Sequence, residues 1–413
     1  MNKKLMALAI AGVMAVPLTA AADGTHVTIF GRLQAEYATV DVDGFNAQSA
    51  VSDDALQSRW GLQIAEDLGM GLQAIGRIEY ALNPGGDVHS TAREQWVGLR
   101  GDQWGELKFG RVQSVLRDFA GGLNVDAFAE TSLHANGSGG LMVSSANGYG
   151  SGEHGFVSSA VRYDSPVVEG FSVAGLLMPG DADKNDPALG STLANPILDS
   201  GNAGGENGEW DFQIGAKYNG QFDIVGVDLF GAYSRDNISK WQKQYSALIG
   251  VKQKDEQIWR GGAIVSIEDF RLRGQFDYVI NANPFGGAAS CTKAAAFGEY
   301  DQLSPSLSAD GGRGQCNSAM NAYGDGYLWI AGADYTIGNT MLVAQGGMTK
   351  AKSETGIANR RNVENITVGV IHNLSRRSSL FGGYQRVWVK DRNLAPGVDA
   401  DRNVYSVGIR HDF

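Results

Sequence analysis

The sequence predicts an all-β fold, a sixteen-stranded antiparallel transmembrane β-barrel. Three observations carry this expectation. The chain opens on an export signal, it then repeats segments of about ten residues that alternate apolar with polar or small side chains, and the connections between them are alternately very short and long. With 57 glycines and only 9 prolines among 413 residues, the composition suits many strands and tight turns better than helices.

Lys3 and Lys4 precede an apolar run from Leu5 to Leu18 and the small residues Ala20, Ala21 and Ala22. This is the pattern of a signal peptide, residues 1–22, cleaved after Ala22, which leaves 23–413 as one barrel domain. No later stretch approaches the ~18 uninterrupted apolar residues of a spanning helix. Without Lys3 and Lys4 the mature chain carries 32 basic against 45 acidic side chains, a formal charge of −13, which disfavours nucleic acid as a partner. The two cysteines, Cys291 and Cys316, are an even pair in a chain bound for an oxidising compartment. They predict a disulfide that would pin a long loop by about 3 to 4 kcal/mol, the alternative being two free loop thiols.

The short connections fall at Asp67–Gly71, Asp102–Gly105, Asp164–Gly170, Asn219–Gln221, Glu268–Asp269, Gly338–Asn339 and Ser375–Ser378. Long ones, rich in Gly, Asp, Asn and Ser, alternate with them. They are Thr39–Asp54, Asn83–Thr91, Val112–Glu153, Gly180–Asn207, Asp236–Asp255, Ala282–Asp325, Lys352–Arg361 and Asp391–Arg402. Seven turns and eight loops join sixteen strands, a size at which a barrel leaves an aqueous lumen rather than a packed core. Soluble sandwiches vary their loops at both ends, whereas a membrane barrel keeps its short turns on one side.

Alternation within strands assigns the two faces. Leu62 and Ile64 oppose Arg59 and Gln63; Leu72, Ala74, Ile78 and Tyr80 oppose Gln73, Arg77 and Glu79; Val225, Val227 and Leu229 oppose Asp223, Gly226 and Asp228. Strands that meet hydrocarbon must pair every backbone polar group, so they can cross only as a closed sheet. In the last strand Tyr405, Val407, Ile409, His411 and Phe413 share one face, which predicts an interfacial anchor and closure on the first strand.

Several motifs resemble one family. Val27-Thr28-Ile29-Phe30-Gly31-Arg32, Ser58-Arg59-Trp60-Gly61-Leu62 with Glu66-Asp67-Leu68-Gly69, Trp96-Val97-Gly98-Leu99 with Gly105-Glu106-Leu107-Lys108-Phe109-Gly110-Arg111, and the terminal Gly408-Ile409-Arg410-His411-Asp412-Phe413 are similar to the Gram-negative general porins. They resemble in particular the proteobacterial branch with a Gly-Leu-Arg-His-x-Phe-like terminus. The resemblance implies an outer-membrane homotrimer that passes ions and small hydrophilic solutes passively, with outer-membrane lipid, lipopolysaccharide and the barrel assembly machinery as partners. It also implies a third long loop folded inward, whose acids face a basic wall. The matching wall positions are Arg32, Arg59 and Arg111, and the parity of Arg77 adds it to that side. On the loop, Asp118, Asp126 and Glu130 match the acidic side, the last two at a spacing that suits one face of a helical turn. A wall arginine common in the family just ahead of the sixth strand is absent, with Phe156 and Val157 in its place. Opposed charges at a narrowing set a transverse field that favours polar over apolar solutes. Neutralising Asp126 and Glu130 together is then expected to shift permeability toward anions.

Other chemistries find little support. Gly150-x-Gly152-x-x-Gly155 fits a dinucleotide fingerprint, but glycine is abundant and a strand is expected after it. No Gly-x-Ser-x-Gly elbow precedes a helix, and the six histidines lack ligand spacing, so neither catalysis, a cofactor nor a bound metal is expected. Asp181, Asp183, Asn185 and Asp186 resemble part of a calcium loop, yet Asp186 stands where glycine is needed and Thr192 where a bidentate Glu belongs. Tyr37, Tyr80, Trp259 and Trp329 leave open a solute-selective channel of the same fold that stacks sugars, although interface girdles explain them equally well.

Overall fold

The computed structural model describes residues 25–52, 58–82, 84, 92–135, 156–179, 210–237, 255–280, 325–351, 361–391 and 401–413. The expected signal peptide, the acidic stretch from Asp181 to Asp186, and both Cys291 and Cys316 lie outside them.

The alternating segments form one antiparallel sheet of seventeen strands. The first strands are β1 (Thr25–Val42), β2 (Gln48–Ser52), β3 (Arg59–Gly69), β4 (Leu72–Ala81), β5 (Ala92–Gly101), β6 (Gly105–Gln113) and β7 (Phe156–Asp164). They continue as β8 (Phe171–Pro179), β9 (Trp210–Phe222), β10 (Val225–Asp236), β11 (Glu256–Ile267), β12 (Phe270–Ile280) and β13 (Gly326–Ile337). The last four are β14 (Thr340–Ala351), β15 (Arg361–Asn373), β16 (Ser378–Asp391) and β17 (Arg402–Asp412). β1 pairs with β17 from Arg32↔Asp412 to Val42↔Arg402, which closes the ring. Just below, Gly31 and Phe413 exchange backbone hydrogen bonds of 3.1 and 3.0 Å. β2 lies beside the upper part of β1 and β3 beside the lower part, so the two share one place and the barrel has sixteen.

Two boundaries differ from the sequence reading. The stretch Thr39–Asp54, expected as a loop, is strand as far as Val42 and again from Gln48, because Val40 and Val42 point inward where a polar residue was looked for. The turn expected at Asn219–Gln221 falls instead at Asp223 and Ile224, with β9 running on to Phe222. Several hairpin turns need left-handed backbone: Met70 and Gly71 have φ of 53° and 75°, and Glu169 and Gly170 of 52° and 86°, the sign a type I′ turn demands at both central residues.

Apolar exposure is inverted relative to a soluble protein. On β1 the outward Val27, Ile29, Leu33 and Tyr37 are exposed, whereas the inward Gln34, Glu36, Ala38, Val40 and Val42 are buried. No described helix is long and apolar enough to cross a membrane, so the crossing is made by strands whose backbone groups are paired within the sheet. Aromatic pairs mark two levels of the outer surface. Trp60–Tyr80, Tyr233–Trp259 and Phe276–Tyr327 lie toward the long loops, and Phe171–Tyr218 lies toward the short turns. Tyr37, Tyr80, Trp259 and Trp329 all stand on outward parity, away from any solute in the lumen.

Candidate pore constriction

The third long loop leaves β6 at Gln113 and turns at once into the lumen. Ser114 caps a single turn, α1 (Val115–Asp118), by accepting from the Arg117 amide at 3.1 Å. The rest of the described loop is a 3-10 turn and a run of turns. Its backbone is hooked by inward side chains of successive strands. Gln213 of β9 accepts from the Val115 amide at 2.7 Å, and Arg260 of β11 donates to the Leu116 and Ala120 carbonyls. On β12, Gln275 accepts from the Gly122 amide at 2.8 Å and Arg273 donates to the Val125 carbonyl at 2.5 Å. Gln345 of β14 accepts from the Ala127 amide at 3.1 Å, and Gln385 of β16 donates to the carbonyls of Leu133 and His134 at 3.1 and 2.7 Å. Arg410 of β17 donates to the Ala129 carbonyl at 3.3 Å, and Gln34 of β1 donates to that of Glu130 at 2.5 Å.

Apolar loop residues fill the spaces between these hooks. Leu116 packs with Ile258, Val279 and Leu328, and Phe128 and Leu133 pack with Val40, Phe381 and Val404. The described part of the loop, 114–135, therefore lines the inner wall from β9 round to β1. Inward apolar residues on the long-loop half of the strands are its seat.

At the loop's tip Glu130 meets the basic wall directly. Its carboxylate lies 2.5 Å from Arg32, 3.5 Å from Arg59 and 3.5 Å from Arg117. Glu130 also holds a left-handed φ of 67°, a strained conformation for a side-chain-bearing residue that these contacts stabilise. Burial pushes its carboxyl up, but Arg59, Arg32, Arg117 and Arg410 outweigh that and hold its pKa at about 2. A carboxylate held below its unfolded value stabilises the fold above that value and loses the contribution as pH falls through the folded one. Conductance and channel noise are accordingly expected to show no Glu130 step between pH 7 and 4.5, the ordinary value for Glu, and the loop to loosen only toward pH 2; a transition near pH 4 to 5 lost on Glu130→Gln would contradict this.

Asp126 and Glu130 do not share a helical face, because the segment between them is turns. The Asp126 carboxylate is taken up by the loop itself: it accepts from the Phe128 and Ala135 amides at 2.9 and 2.6 Å and from Gln345 at 2.5 Å. Burial raises its pKa, partly offset by His134. Asp118 accepts from Arg162 of β7 at 2.8 and 3.0 Å, and burial raises its pKa against that arginine. The loop acids thus touch the wall rather than facing it across a gap.

On the wall, Arg77 reaches Glu79 at 2.5 Å and Glu94 at 3.2 Å, and Arg93 reaches Glu79 at 2.5 Å. Arg111 donates to the carbonyls of Ala92 and Arg93 at 3.3 and 3.0 Å. Arg32 spans Glu130 and Asp412, which ties the loop tip to the closing strand. Sequence reasoning missed Arg93, Arg117, Arg162 and Arg410. Parity was available for Arg162, and Arg410 lies within the terminal motif, but the position of Arg117 depends on the loop's path.

A hollow sixteen-stranded barrel with outward apolar belts and a charged inner loop defines the class as an outer-membrane channel. A model of the Gram-negative porin family matches residues 7–392, and the chain belongs to that family. It is 26% identical over 444 residues to an outer membrane porin protein of Bordetella pertussis, covering the whole of both chains. It is 32% identical over 190 residues to the major outer membrane protein P.IB of Neisseria gonorrhoeae, covering 44% of this chain and 49% of that one. Among solved structures, the anion-selective porin from Comamonas acidovorans superposes with a TM-score of 0.61 at 18% identity, covering 94% of this chain and 100% of that one. Salmonella typhi OmpF superposes at 0.62 and 13% identity, over 95% and 98%. The protein is a Gram-negative outer-membrane porin, a diffusion channel and not an enzyme.

Proposed function

We propose that this porin is a homotrimeric general diffusion channel for small hydrophilic solutes, with a preference for anions set by Arg32, Arg59, Arg77 and Arg111. One observation carries the ion preference. On the wall around Glu79 and Glu130 the arginines are the more exposed partners: the Arg59 and Arg77 side chains are 19% and 24% exposed, against 2% for Glu79 and 7% for Glu130, although at the loop's root Asp118 is more exposed than Arg162. A solute in the constriction meets the exposed charge first, and the acidic total of the chain counts little beyond a Debye length of ~8 Å.

In this reading Glu130 seats the loop, Asp126 folds it and Asp118 ties its root to Arg162. The trimer is a property carried over from the family. The leader 1–22, the Cys291–Cys316 disulfide and the anchoring role of Phe413 belong to the same proposal. Reversal potentials in planar bilayers under a potassium chloride gradient test it. Wild type is expected to favour chloride, and Arg59→Gln to move the potential toward the potassium side. A cation-preferring wild type would overturn the ion preference, and solute-blocked, saturable conductance would favour the selective channel.

A further inference from the structure

Phe156 is the first residue of β7 and pairs in register with Gln113, the last residue of β6. Its ring is therefore fixed at the root of the third loop, and it is buried there. Three guanidiniums from different elements gather on it: Arg93 of β5, Arg111 of β6 and Arg117 of α1 lie 4.9, 5.6 and 4.9 Å from the ring centroid. Like charges this close repel one another, and Glu79 and Glu130 offset part of that repulsion, 2.5 Å from Arg93 and 3.5 Å from Arg117. A carboxylate at this position would gather them by cancelling their charge. An aromatic ring attracts each through its quadrupole and leaves the charge intact.

We propose that Phe156 is a selectivity-determining positioning residue, whose ring holds Arg93, Arg111 and Arg117 as a fan that keeps its positive field in the constriction. The proposal rests on the anion-preferring reading above. The alternative partners are at hand: Arg93 already reaches Glu79 at 2.5 Å, and Arg117 donates to Gln113, which itself donates to Glu94 at 2.8 Å. Without the ring, the guanidiniums lose their common anchor and are held by these acceptors alone, and the field seen by a passing ion falls. The ring thus stands where the family resemblance looks for a further wall arginine, and it supplies positioning in place of charge.

The test compares wild type, F156L and F156Y by reversal potential under a salt gradient, with thermal unfolding of each protein measured alongside. F156L is expected to lower the anion-to-cation permeability ratio at least about twofold, the factor that corresponds to the weakest single cation–ring contact. F156Y keeps the ring and is expected to keep the wild-type ratio, with all three proteins unfolding together. An unchanged ratio in F156L, or an equal fall in F156Y, would overturn the proposal. If F156L does not fold, F156M takes its place with the same two readings. A cation-preferring wild type would remove the anion reading on its own, and the difference between F156L and F156Y would still decide the role of Phe156.

Discussion

Glu130→Gln is expected to raise anion over cation permeability and to increase open-channel noise together. Glu130 is the acid shared by Arg32, Arg59 and Arg117, so removing its charge weakens the compensation of all three, although Arg32 keeps Asp412 and Arg59 keeps Glu79. Breaking a buried pair from one side costs about 3 to 5 kcal/mol, because the remaining charge stays desolvated. The depressed pKa gives a similar size, about 3 kcal/mol for a shift from 4.5 to about 2. The backbone hook from Gln34 to the Glu130 carbonyl survives the substitution, so the loop loosens at its tip rather than leaving the wall. Asp126→Asn should act differently. Its carboxylate accepts from two loop amides and Gln345, and replacing one acceptor oxygen by an amide group leaves a buried donor unmatched, at about 1 to 3 kcal/mol of loop stability with little change in selectivity. Reversal potentials equal to wild type in Glu130→Gln would place that residue off the permeation path.

Asp277→Ala should give the largest loss of stability among the wall substitutions. Asp277 and Arg260 are fully buried, with the guanidinium 2.5 Å from the carboxylate. The same guanidinium donates to the Leu116 and Ala120 carbonyls at the loop's root. Truncating the acid strands a desolvated arginine and releases its aim, again at about 3 to 5 kcal/mol. A lower thermal or urea midpoint, with flickering conductance at temperatures where wild type is quiet, is the expected outcome. The double change Arg260→Met with Asp277→Leu separates the two effects: the midpoint should recover, since apolar replacement of a buried pair is often neutral, while the noise remains because the carbonyl hooks are gone. A wild-type midpoint in Asp277→Ala would show that the pair is not structural.

The strand count was readable because two signals agree, period-two alternation and the asymmetry of the connections. Both follow from hydrocarbon outside and water inside. The reading failed where the inside is not water. Ala38, Val40 and Val42 are apolar on the inward face because Phe128 and Leu133 sit on them, and a pattern that expects polar residues there ends the strand too soon. The proximity of wall and loop charges was foreseeable where a motif fixed the strand register, as at Arg32 and Arg59, both of which Glu130 reaches. It was less so where the loop's path decides. Asp126 and Glu130 share a spacing but not a role, since one carboxylate is turned onto backbone amides and the other onto arginines. Arg93 and Arg117 meet only at the ring of Phe156, a contact between β5, α1 and β7 that spacing along the chain does not announce.

The seam between β1 and β17 has a kinetic consequence. Arg32 and Asp412, joined across it, are 380 residues apart in the chain, so closure has among the highest contact orders the polypeptide can offer and must come late and slowly. Until then each terminal strand presents a bare edge that another nascent copy can pair with. The loop tip bridges that seam, since Gln34 holds the carbonyl of Glu130 and Arg410 that of Ala129, one from each terminal strand. Docking of the loop therefore completes only after the two strands have met, and it then acts as a latch that slows the seam's reopening.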